Sequence, residues 1–178
     1  DVAGAIARHS ARPVIDLARF FRRLVVYALI GNCDAHLKNF SLLERPEGLR
    51  LSPAYDVLNT LVYGDRFDGE FALALGGRRR QTGEIVREDF ETFGREIGLT
   101  SAAIRQTFAD LKRGVGTAAP LIRPPQGEPP DGFVHRFSEI VESQCLTFCR
   151  SIEQHAAHAE AISLSSSVTR IDKGKSSK

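Results

Sequence analysis

Asn32-Cys33-Asp34-Ala35-His36-Leu37-Lys38-Asn39-Phe40-Ser41 is the stretch on which the reading of this chain turns. It opens with eight residues, five of which carry a charge, an imidazole or an amide, and it sits between two apolar segments. Upstream, Leu17, Phe20, Phe21, Leu24, Val25, Ala28 and Leu29 recur at helical spacing, with Arg19, Arg22 and Arg23 mostly on the other face. Pro13 suits a first helical turn and Gly31 a stop, so a helix is expected from Pro13 to Ile30. Downstream, Phe40–Leu43 and Leu49–Leu51 read as two short strands, with Glu44-Arg45-Pro46-Glu47-Gly48 as the turn. Pro53-Ala54-Tyr55-Asp56-Val57 follows at once.

Asp34 and Asn39 are five positions apart, the spacing of the aspartate and asparagine in a protein-kinase catalytic loop. There the aspartate orients the acceptor hydroxyl and takes its proton, and the asparagine presents a carbonyl oxygen to a hard magnesium ion. Phosphoryl transfer also needs a carboxylate on the metal, and Asp56, 17 positions after Asn39, is the candidate. A hairpin between them would leave the polar bend and return to the same edge. The segment ends Asp56-Val57-Leu58 where protein kinases have Asp-Phe-Gly, which argues against their kind of activation-loop switch. The plain alternative for Asp34 and Asn39 is a polar loop capping a helix end.

Asp1–Ala11 gives little signal, and Phe71–Leu75 is a possible strand ending at Gly76-Gly77. Helices are expected over Glu88–Ile97, stopped by Gly98, and from Thr100 or Ser101 to about Lys112. Gly114–Gly132 is Pro/Gly-rich and reads as a loop. A long helix is expected from Phe133 to about Ile162, with Phe137, Ile140, Val141, Leu146 or Cys145, Phe148 and Ile152 as its apolar contacts. Ser163–Lys178 is Ser/Lys-rich and expected to be disordered.

The 178 residues suffice for one domain, and 42% apolar with 26% charged is a globular balance. A net charge of +2 is too small to argue for nucleic acid or an anionic membrane as partner, and no apolar run approaches the roughly 18 residues of a span. Three cysteines, an odd and sparse set, suggest reduced thiols and a cytoplasmic location. Cys33 reads as a small residue beside Asp34, and Cys145 and Cys149 as core packing. A zinc site at Cys149, His155 and His158 lacks a fourth ligand. Arg78-Arg79-Arg80 reads as a solvated loop, and Asp65 and Asp68 as turn residues. No methionine occurs, even at position 1, so the chain is expected to be part of a longer frame.

Asn32 to Ser41 resembles the catalytic loop of the HipA family, and Leu51-Ser52-Pro53-Ala54-Tyr55-Asp56-Val57 resembles its metal-binding segment. Leu73-Ala74-Leu75-Gly76-Gly77 and Phe90–Leu99 are similar to its next strand and helix. The likeness covers about Val14 to Ile152 and is strongest from Gly31 to Leu58. It implies a mainly α (α+β) fold, a protein-kinase-like C-lobe whose small β-hairpin carries the metal site. The lobe would span residues 1–162, with 114–132 as its loop and 163–178 as a tail. It implies a bacterial, cytoplasmic serine/threonine kinase toxin of a type II toxin–antitoxin system, using ATP and Mg2+. The protein substrate is, for some members, glutamyl-tRNA synthetase. The partner is a HipB-like DNA-binding antitoxin, so DNA is met only indirectly, and no membrane is involved. Asp34 matches the family's proton acceptor and Asn39 and Asp56 its magnesium ligands. His36, Leu37 and Lys38 match a stretch that contacts nucleotide, and Tyr55 sits beside the metal aspartate.

No Gly-rich phosphate loop precedes Asp34, and no lysine precedes Lys38. The isolated chain is therefore expected to have no measurable kinase activity. Two other readings stand beside this one. One is a degenerate or split module that only binds an antitoxin or a partner lobe. The other is a kinase-like phosphotransferase acting on a small molecule, against which the lack of a glycine after Asp56 weighs.

Overall fold

The computed structural model describes residues 1–150 apart from 67, 119–120, 123–125, 128 and 130–131. Ile152, His155, His158, the expected end of the last helix and the expected 163–178 tail lie outside the described residues. The chain folds as helices with one small sheet: α1 (Val2–His9), α2 (Pro13–Leu29), β1 (Leu42–Arg45), β2 (Gly48–Leu51), α3 (Arg87–Glu96) and α4 (Ser101–Ala118). A fifth helix, α5, covers residues 133–150. Among the described residues no helix is long and apolar enough to cross a membrane.

The centre of the fold is α2. Pro13 sits in its first turn, and Phe20, Phe21, Leu24, Val25, Tyr27 and Ala28 are buried along it. Phe21 meets Phe90 of α3 and Phe108 of α4 edge-on, with ring centroids 6.4 and 6.0 Å apart. Phe148 of α5 closes on Phe108 at 5.8 Å. Fully burying such side chains contributes about 1.5–3 kcal/mol each, so this aromatic junction sets how the helices assemble.

α2 ends where Gly31 takes φ +69°, a left-handed conformation that costs an L side chain energy. A Cβ there would also lie 2.8 Å from Leu61 Cδ1, so two constraints select glycine at the entry to the polar bend.

The remaining elements follow the sequence with four corrections. Asp1–Ala11 is not featureless: Asp1 caps α1 by accepting from the Gly4 N–H at 3.1 Å, and Ile6 is buried. The hairpin is shifted outward from the expected strands, pairing Leu42 with Leu51 and Arg45 with Gly48, so Pro46-Glu47 alone makes the turn. Phe71–Leu75 is no strand; only isolated bridges join Glu70 to Gln81 and Leu75 to Arg78. Phe71 and Leu75 are nonetheless buried, because burial needs contact rather than a ladder. Finally, α4 runs to Ala118, into the expected 114–132 loop, and in α5 Cys145 faces inward while Leu146 is exposed.

Gly94 in α3 gives a stability test. Alanine is normally the better helix former, but a Cβ at Gly94 would meet Ile104 Cδ1 at 2.7 Å and Phe21 Cε2 at 3.1 Å, both in the core. Gly94→Ala is expected to destabilise by about 1–2 kcal/mol, overpacking exceeding the helix gain, as thermal unfolding would show.

Candidate active site

The polar bend is held from behind by side chains. The Asn32 N–H donates to Tyr27 O at 2.8 Å, and Asn32 Oδ1 accepts from the Asp34 N–H at 3.2 Å. Thr60 Oγ1 accepts from the Cys33 N–H at 2.9 Å and donates to Gly31 O at 3.0 Å. Asn32, Cys33, Ala35 and Thr60 are buried, which leaves His36, Leu37 and Lys38 exposed on the outer side of the bend. Cys33 Sγ lies 3.0 Å from Thr82 Oγ1, a packing position with no exposed thiol.

A turn of 3-10 helix over Leu37–Asn39 leads into the hairpin. Phe40 is wedged against Phe20, centroids 5.1 Å apart, and under the Arg23 guanidinium at 5.8 Å. The same guanidinium donates through Nη2 to Ser52 O at 2.5 Å. Arg23 thus ties α2 to the residue after Asn39 and to the start of the segment that carries Asp56. Burial lowers its pKa, the nearby Tyr27 and Tyr55 acting in the opposite sense.

The hairpin returns Asp56 to the bend. Asn39 Nδ2 donates to Asp56 Oδ2 at 2.8 Å, and the Tyr55 hydroxyl donates to Lys38 O at 2.8 Å. Two residue pairs 17 positions apart are therefore locked side by side. Asn39 is 1% exposed, and its Oδ1 is buried without a hydrogen-bond partner. Flipping the amide would set a carbonyl oxygen against the Asp56 carboxylate, so the orientation with Nδ2 toward Asp56 is the one electrostatics allows. A buried acceptor left unmade costs about 1–3 kcal/mol. Asp56 itself has φ +54°, the only non-glycine residue with positive φ among the described residues. Backbone strain of this kind concentrates at functional sites.

The Asp34 carboxylate lies 2.9 Å from His36 Nε2, with the Asp34 side chain about one-third exposed. No hydrogen bond among the described residues joins Asp34 to the Asn39–Asp56 pair. The structure thus groups the seven candidate residues into three contacts, 34 with 36, 38 with 55, and 39 with 56, and leaves Leu37 60% exposed. Leu37 lines a groove of about 660 Å³ with Phe20, Leu24, Leu73, Gly76, Gly77 and Phe93. No cluster of three or more His, Cys, Asp and Glu side chains forms a metal site among the described residues. A carboxylate with an orphaned amide carbonyl instead suits Mg2+, which takes one or two protein oxygens and completes its shell with water and phosphate. Asn32 and Thr60 carry the bend, and the sequence reading missed both roles; Thr60 has no local signal, because its partners lie 27 and 29 positions away.

The fold has solved relatives. A chain from the Shewanella oneidensis HipA, HipB and operator DNA complex superposes with a TM-score of 0.68 at 21% identity, over 85% of this chain and 36% of that one. Residues 1–119 match the HipA-like C-terminal domain. The chain belongs to the HipA-like C-terminal domain family. It is 32% identical over 106 residues to a Sinorhizobium fredii protein named "Putative kinase Y4mE", covering 60% of this chain and 25% of that protein. It is 25% identical over 129 residues to the serine/threonine-protein kinase toxin HipA of Shewanella oneidensis, covering 71% of this chain and 29% of that protein. The chain therefore spans between a quarter and a third of the length of these two relatives.

Proposed function

We propose that the chain is the catalytic-loop lobe of a serine/threonine protein kinase, in which Asp34 accepts the proton of a serine hydroxyl and Asn39 and Asp56 hold Mg2+. The observation that carries this reading is the Asn39–Asp56 pair, 2.8 Å apart, with Asn39 Oδ1 left without a partner and Asp56 on a left-handed backbone. Family membership and the kinase names of the relatives support it. His36, Leu37, Lys38 and Tyr55 stand at the nucleotide, with ATP as the substrate.

Bound Mg2+ would neutralise phosphate charge as it builds in transfer. The chain's own part is positioning. The His36 imidazole fixes one Asp34 carboxylate oxygen and leaves the other for the acceptor hydroxyl. A bond forms from the serine oxygen to the γ-phosphorus, the bond from phosphorus to the β–γ bridging oxygen breaks, ADP leaves, and the serine proton passes to Asp34. In the same reading the longer protein acts as a toxin restrained by a HipB-like antitoxin and meets DNA only through it. The HipA–HipB–DNA complex of the structural relative supports that assembly. The protein substrate, on the family resemblance, is of the aminoacyl-tRNA synthetase kind.

The test is metal binding by the isolated chain. Mn2+ titrated into isotopically labelled chain is expected to broaden the Asn39 side-chain amide signals first, and Asp56→Asn to abolish this. Asparagine suits the substitution because it tolerates the left-handed backbone at position 56. Broadening centred elsewhere, or undiminished in Asp56→Asn, would contradict the reading.

A further inference from the structure

Beside the candidate site runs a second groove, of about 680 Å³, between the outer face of α2 and the 50–57 segment. Arg19, Arg22, Arg23, Arg45 and Arg50 line it, against the single carboxylate of Glu47. The chain's net charge is only +2, so this is a local concentration of charge and not a general property of the surface. Its arginines differ in how far they are neutralised. Arg50 is 10% exposed and spent on Asp16 and Glu47. Arg19 and Arg22 keep exposed side chains and reach Asp16 and Asp110 only at 3.6 and 3.9 Å. Arg45 is exposed at the hairpin turn, with no ion pair among the described residues. Arg23 lies on the wall with Nη2 on a backbone carbonyl and its other end buried beside the Tyr27 hydroxyl, so it is spent on the fold.

Three exposed arginines, two with distant ion-pair partners and one with none, are what carboxylate recognition uses. Apolar side chains line the groove as well: Val26 on α2, then Pro53, Ala54 and the half-exposed Val57, the residue after Asp56.

We propose that this groove is a docking site for an acidic segment of a protein substrate, its carboxylates on Arg19, Arg22 and Arg45 and its apolar part on Val26, Pro53 and Val57. The proposal rests on the kinase reading for the word substrate, but the binding itself does not. The arrangement selects acceptor serines flanked on one side by glutamate or aspartate and disfavours lysine-rich flanks.

The experiment uses the isolated chain without ATP or divalent metal, so failure of the phosphotransfer reading leaves it intact. A short fluorescein-labelled serine peptide rich in glutamate is titrated with the chain and followed by anisotropy, beside its glutamine and lysine counterparts. The glutamate peptide is expected to bind on the order of tenfold tighter than the glutamine one, and to weaken as salt rises. Arg45→Glu, and separately Arg22→Gln with Arg45→Gln, are expected to remove most of that preference while leaving the melting temperature within a few degrees, both side chains being exposed. Equal binding of the three peptides, no binding, or a preference undiminished in both variants would overturn the proposal. So would a single-stranded oligonucleotide that outcompetes the glutamate peptide from the same arginines.

Discussion

On the proposed kinase reading, Asp34→Asn in a protein that joins this domain to a nucleotide-binding lobe is expected to lower phosphate transfer to a serine substrate by about 10²–10⁴-fold. The carboxamide keeps the shape of the side chain and the His36 contact, but it cannot take the hydroxyl proton. The Asp34 carboxylate is partly exposed and contacts the exposed His36, so the variant should melt where the parent does. Its signature separates it from Asp56→Asn. Loss of the proton acceptor should lower turnover at every Mg2+ concentration. Loss of a metal ligand should instead raise the Mg2+ concentration needed for half-maximal rate. Transfer measured from labelled ATP across a magnesium series would show both. Equal activity of Asp34→Asn and parent would remove Asp34 from the mechanism.

Asp16→Ala is expected to be the most destabilising single substitution in the amino-terminal half. The carboxylate is 0% exposed and accepts from Arg50 Nε and Nη2 at 3.0 Å each, from the Ser10 hydroxyl at 2.6 Å and from the Leu51 N–H at 3.0 Å. It joins α2 to β2 and to the link after α1. Removing the carboxylate leaves the buried Arg50 side chain with only the exposed Glu47 as counter-charge, a loss of about 3–5 kcal/mol. Replacing both by apolar residues, Asp16→Leu with Arg50→Met, should recover much of it, since desolvation of both ions then disappears. Urea unfolding of the three variants gives the comparison.

The same residue sets a pH dependence. Burial alone would raise the Asp16 carboxyl, but hydrogen bonds from Arg50, Ser10 and Leu51 and the Arg50 charge outweigh it and hold the pKa at about 2, against the usual 3.8. A depressed carboxyl contributes stability that is fully present above its unfolded value and lost as pH falls through the folded one. The chain should therefore lose about 2 kcal/mol between roughly pH 4 and pH 2, and Asp16→Asn should flatten that limb. Denaturant midpoints across this range are the measurement.

The sequence by itself determined what depends on near neighbours. The helical spacing from Leu17 to Leu29, Pro13 at its start and Gly31 at its end gave α2 almost to the residue. The five-residue spacing of Asp34 and Asn39, and a turn over Glu44–Gly48 that sends Asp56 back, were enough to pick these three as candidates. Each is a local rule of backbone geometry, while His36, Leu37, Lys38 and Tyr55 came from the family resemblance. The tertiary structure decided what depends on partners far along the chain. Phe71 and Leu75 looked like strand residues but found a core without a sheet. Asp16, a lone acid on a helix, proved to be buried because Arg50, 34 residues on, arrives to meet it. Thr60 and Arg23 clamp the bend and the hairpin from outside the motif. Nor does spacing say which end of the Asn39 amide is left without a partner: that follows from packing, because the returning hairpin takes up the amide N–H and leaves the carbonyl oxygen buried and unpaired.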